Sequence, residues 1–188
     1  GGIMTLTGNG GLLASGTDNT GIALFTSTLN SGSANMTLNA PGNVGASLEG
    51  IYTSSDSTVQ TSANITLNTS GGVRSYGQLS ASGLELLGAN ATYNLNNANN
   101  SISTLAGDTQ NVSFTGSSFD IGTVNDTTGL TTTTGDVTLN ASGTITASEA
   151  VSVDGVFTLG SGTWRQVAGS LPSFSATDFR INSGATFI

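Results

Sequence analysis

The sequence predicts an all-β fold, a right-handed parallel β-helix (β-solenoid) of about eight coils. Three observations carry that reading. Over Gly135–Gly162, GDVTLNASGTITASEAVSVDGVFTLGSG, short segments alternate apolar and hydroxyl residues. Val137 and Leu139 flank Thr138, Ile145 lies between Thr144 and Thr146, and Val151 and Val153 flank Ser152. Period-2 alternation bounded by Asn, Gly and Ser marks short half-buried strands. Second, Phe157 and Leu159 flank Thr158 twenty positions after the doublet they echo, and a return to phase after about 20 residues marks a solenoid coil. Third, GIALFTSTLNSGSANMTLN (Gly21–Asn39) recurs as GIYTSSDSTVQTSANITLN (Gly50–Asn68), shifted by 29. The two share an opening Gly-Ile and a closing Ser-Ala-Asn-x-Thr-Leu-Asn.

Taken in order, apolar-x-apolar doublets form a ladder: Met4/Leu6, Met36/Leu38, Ile65/Leu67, Tyr93/Leu95, Val112/Phe114, Val137/Leu139, Phe157/Leu159 and Phe179/Ile181. The middle residue is polar at every rung, so a strand turns the doublet inward and the middle side chain to solvent. By subtraction of residue numbers the intervals are 32, 29, 28, 19, 25, 20 and 22. Residues 1–96 therefore read as longer coils of about 28–32 residues, and 97–162 as shorter coils of about 19–25. The long intervals predict loop or hairpin insertions in the first half, which cost little entropy. Eight coils stacked about 4.8 Å apart would make a rod of very roughly 40 Å. Asn39, Asn68 and Asn140 each follow a Thr-Leu pair and are expected at one corner, where Asn suits tight turns and amides can stack. Residues 163–188 read as an atypical coil with a loop around Leu171-Pro172-Ser173. This end holds the only Trp and three of the seven Phe, which suits plugging the end of a core. The whole of 1–188 is expected to be one β-helix segment of a longer chain, since nothing at its start resembles a signal peptide.

Composition narrows the function. Charged residues are 7% of the chain, with Arg74, Arg165 and Arg180 as the only cations against eleven carboxylates, and the net charge is −8. Nucleic acid or an anionic membrane would need a basic face. No apolar run approaches the roughly 20 residues of a membrane span, so neither nucleic-acid binding nor membrane insertion is expected. Without His, Cys or Lys, Ser-His-Asp, Cys-His and Ser-Lys chemistry and the usual zinc sites are excluded. The carboxylates Glu49, Asp56, Glu85, Asp108, Asp120, Asp126, Asp136, Glu149, Asp154 and Asp178 are scattered, whereas a glycosidase needs a facing pair. Gly-Gly pairs do not lead into the nonapeptide pattern that binds calcium between coils. Thr-x-Thr motifs, as at Thr132/Thr134 and Thr144/Thr146, do not recur at the coil spacing that an ice-binding array would need. The expectation is a non-enzymatic chain with no catalytic residue, no metal and no cofactor. A carbohydrate-active β-helix enzyme, either a polysaccharide lyase or a hydrolase, is the alternative. An ice-binding β-solenoid is a lesser one. Tyr52, Tyr76 and Trp164 are the candidate glycan contacts, with Tyr93 a further aromatic of that kind.

The repeats GIYTSSDSTVQTSANITLNTSGG and GDVTLNASGTITASEAVSV, followed by GTWRQVAGSLPSFSATDFRI, resemble the filamentous-haemagglutinin family of two-partner secretion exoproteins. The closing GTW-x-QVAG-x-LP-x-F-x-A-x-DF-x-I is the more distinctive part. The resemblance implies an interior β-helix repeat segment of a large bacterial adhesin, secreted and held at the cell surface. It further implies export by an outer-membrane β-barrel transporter acting on a region outside this segment. The implied roles are adhesion, aggregation or biofilm matrix, with exopolysaccharide or a host or cell-surface glycan as partner. The family's repeats share no site motif, so no functional residue carries over.

Overall fold

The structure, a computed structural model, describes residues 2–8, 20–41, 49–167 and 172–188. They form eighteen strands and no helix. Sixteen strands belong to one sheet and two form a small hairpin. The alternation in the sequence dictates this: Met36–Ala40 and Asn64–Thr69 bury every second residue, and each coil hands the next a row of free backbone groups in parallel register. The sheet is a β-solenoid of about six turns, against the eight expected. The rungs at its ends are only partly covered: Met4 and Leu6 at one, Phe174 and Phe179 at the other.

Inside, side chains stack in columns. One runs Ile22, Ile51, Val73, Tyr93, Val112, Val137, Phe157 and Phe179. Another runs Leu6, Leu38, Leu67, Leu86, Gly107, Leu130, Val151 and Phe174. The 29-residue repeat is therefore a physical stack, with Met36 on Ile65 and Asn39 on Asn68. The eight-doublet ladder, however, is two ladders on two faces. Ile65/Leu67 continues onto Leu84/Leu86, and Tyr93 stacks on Val73 instead. Asn140 likewise leaves the Asn39–Asn68 corner and pairs with Thr115.

Coils shorten earlier than expected, since Ile51 to Val73 is already 22 residues. Residues 9–19 and 42–48, within the first two long intervals, lie outside the described residues, as does Leu171 of the expected Pro loop. The hairpin that the structure describes, Thr123–Val124 paired antiparallel with Thr127–Thr128, lies in the second half.

Corners are closed by small polar side chains that satisfy backbone groups leaving the ladder. The buried Thr109 hydroxyl donates to the carbonyls of Gly88 and Ala91 at 3.1 and 2.9 Å. Buried Asn100 accepts from the Leu79 N–H and donates to the carbonyls of Leu95 and Thr115. Elsewhere the side chain of one coil takes the N–H of the next: Asn35 from Asn64, Asn111 from Asp136, Ser118 from Thr144 and Asp136 from Val156. This axial use, rather than a continuous amide ladder, explains much of the Asn and Ser at the corners.

Tyr93 is fully buried, and its hydroxyl donates to the carbonyls of Leu67 and Leu87, both at 2.7 Å. Burial pushes its phenol far above the ordinary tyrosine value, which is about 10. The neutral phenol is thus tied to the folded state. Its contribution is fully present below pH about 10 and declines as the pH rises above that, where only the unfolded chain ionises. In a spectrophotometric titration Tyr93 should ionise only as the chain unfolds. Tyr93→Phe should abolish that alkaline coupling, and at neutral pH it should cost about 1–3 kcal/mol because two carbonyls lose a donor.

Candidate functional site

Two constellations stand out on the surface. The first is an aromatic strip. Thr26 adopts a left-handed backbone (φ 48°), and its N–H donates to the Ser54 hydroxyl of the next coil. Phe25 shares the outward side of Ala23 and is 63% exposed. Phe25 meets Tyr52 at 5.4 Å between ring centroids, and Tyr52 meets Tyr76 edge-on at 6.1 Å. Tyr52 is half-buried and Tyr76 is 51% exposed. The Asn97 amide donates to the Tyr76 carbonyl at 2.6 Å. Arg74, in register with Tyr52, pairs with Glu49 at 3.0 Å. The chain has eleven aromatic residues; the other eight lie in the core or in the cluster around Phe157 and Trp164.

Of the predicted glycan contacts, the structure therefore brings Tyr52 and Tyr76 together and adds Phe25. Trp164 is corrected: it is fully buried, 5.1 Å from Phe157 and 5.7 Å from Phe174, and offers no surface to a sugar. Tyr93 is buried as well. Phe25 is not among the expected contacts, although the alternation of Ile22 and Leu24 already turns it outward.

The second constellation lies under the hairpin. Gly122–Gly129 folds back over earlier coils, burying Val124. A Cβ on Gly83 would lie 2.8 Å from the Val124 Cγ1 and 2.6 Å from the Asn64 Oδ1, so glycine is needed there for the hairpin to approach. Asn125, left-handed at φ 51°, accepts from the Asn64 amide at 2.9 Å and donates to the Glu85 Oε2 at 2.8 Å. Thr66 and Thr127 donate to the same carboxylate at 2.6 and 2.7 Å. Glu85, 5% exposed, is thus held by three donors from two other coils. Its chemistry is that of a clamp, since its oxygens face the strap rather than an open cleft.

A shallow open groove nearby is lined by Ser101, Ser103, Ser118, Asp120, Thr144 and Thr146. There Ser148 donates to Asp120 at 2.7 Å. Among the described residues no group of three His, Cys, Asp or Glu side chains could hold a metal ion, and no helix is long and apolar enough to cross a membrane. Comparison with known protein families, curated proteins and solved structures finds no match to this chain.

Proposed function

We propose that the chain is a shaft segment of a secreted, surface-associated bacterial adhesin of the filamentous-haemagglutinin type. Its role is mechanical rather than catalytic, serving adhesion, aggregation or biofilm matrix, with exopolysaccharide or a cell-surface glycan as partner. The observation that supports this most is the stack itself. Met36 lies on Ile65, Thr37 on Thr66, Leu38 on Leu67 and Asn39 on Asn68, a register that repeats along one axis without needing a second surface. Such a solenoid is quasi-one-dimensional, each coil held by its neighbours, so folding can propagate from one coil to the next. That property suits a chain emerging progressively from an outer-membrane β-barrel transporter. The closing motif GTWRQVAGSLPSFSATDFRI and the hydroxyl- and amide-covered strands are in keeping with an extracellular rod.

The test is export. The chain is joined behind a two-partner secretion amino-terminal domain and co-expressed with the matching transporter. The expected result is a protease-resistant chain outside the cell and greater attachment of the producing cells to a surface. Retention and degradation in the periplasm would overturn the reading. So would the release of reducing ends or unsaturated sugars from a polysaccharide panel, which would mark an enzyme.

A further inference from the structure

We propose that the Phe25–Tyr52–Tyr76 strip, with the polar track leading from it, binds a neutral polysaccharide laid along the solenoid axis. The proposal deepens the adhesin reading by naming a ligand class, and it rests on that reading only for its biological setting. Outward residues on one face stand in register from coil to coil: Tyr52, Arg74, Asn94, Ser113 and Thr138. Those five rungs extend roughly 20 Å at about 4.8 Å per rung. Beside them, Asn96 accepts from Ser113 and Thr115 at 2.9 and 3.3 Å, and Asn140 donates to Thr115 at 3.4 Å. An aromatic platform therefore opens onto a straight line of amides and hydroxyls.

That combination matches a sugar chain, which presents apolar C–H faces to rings and hydroxyls to groups able both to donate and to accept. Three rings gathered on one surface, in a chain whose other aromatics serve the core, form the kind of amphipathic anchor that concentrates binding energy. Charge selects among polysaccharides. The column continues beyond Thr138 to Thr158 and Arg180; its two arginines are both paired, Arg74 with Glu49 and Arg180 with Asp178, and the chain carries a net charge of −8. An acidic polymer would be repelled and would find no unpaired cation on that column. A neutral polymer meets neither obstacle.

Native affinity electrophoresis tests this with the unmodified chain in gels containing hydroxyethylcellulose, galactomannan, dextran or, as the acidic comparison, alginate. At least one neutral polymer is expected to retard migration, and alginate is not. Tyr52→Ala combined with Tyr76→Ala should weaken the retardation about tenfold or more, whereas Tyr76→Phe, which keeps the ring, should leave most of it. Circular dichroism of each variant checks that the fold is retained. Tyr76→Ala alone, at an exposed position, supplies the measurement should the double variant unfold. The proposal is overturned by absence of retardation in all three neutral gels, by unchanged retardation in the folded variants, or by stronger retardation in alginate. Sedimentation showing a dimer that the same substitutions dissolve would assign the strip to a second copy and overturn it too. Export without retardation removes the ligand and leaves the shaft; retardation without export does the reverse.

Discussion

Phe157→Ala is expected to destabilise the chain by about 3–5 kcal/mol, the range for truncating a fully buried aromatic. Phe157 is fully buried between Val137 and Phe179 in its column. Its ring lies 5.1 Å from Trp164, 5.0 Å from Phe174 and 5.4 Å from Phe179. Removing it opens a cavity and strips three ring contacts from the last coils at once. In a solenoid each coil is held only by its neighbours, so the loss should fall on Val151–Gln166 and Phe174–Ile181 while the coils around Leu86 persist. The measurement is urea unfolding followed by Trp164 fluorescence and by far-ultraviolet circular dichroism. The fluorescence transition should move to lower urea well ahead of the dichroism. Coincident transitions displaced by less than about 1 kcal/mol would contradict the placing of Phe157 at the hub. Phe157→Leu, which keeps much of the volume, should lose far less.

Glu85→Leu is expected to release the hairpin and to cost several kcal/mol. Thr66 and Thr127, half-buried, and Asn125, exposed, would each lose the carboxylate as acceptor, and a hydrogen bond to a charged group is worth about 1.5–3 kcal/mol. Hydrogen exchange is the direct readout: amides over 122–129 should exchange much faster, with the strands beneath less affected. Glu85→Gln keeps one acceptor oxygen and should fall between the two. Gly83→Ala supplies an independent route to the same state, because its Cβ would press on Val124 and Asn64. Unchanged exchange over the hairpin in both Glu85→Leu and Gly83→Ala would show that the clamp does not hold it.

Much of this architecture is legible in the residues. Alternation in MTLN and ITLN names the strands and their inward sides, and both are buried as read. The aromatic candidates are legible in part. Tyr52 follows the core residue Ile51, so alternation turns it outward, whereas Tyr76 and Trp164 stand between small or polar neighbours, yet one lines a surface and the other closes a core. What separates those two is which coil end lies above, and Phe174 and Phe187 cover Trp164. Glu85, between Leu84 and Leu86, reads as a solvated outward carboxylate. It is buried because residues about 40 positions further on fold back over it.

The residues alone therefore determined the class of fold and the inside and outside of each strand, because a period of two is a property of five or six neighbours. Tertiary structure decided which doublet lies over which, where the hairpin folds back and which rings meet at the surface. Every face of the coil carries the same alternation, so doublets on different faces look interchangeable to a reader of the chain. Only the lengths of the coils, and contacts between residues 20 to 60 positions apart, put Leu84 over Ile65 and Tyr93 over Val73.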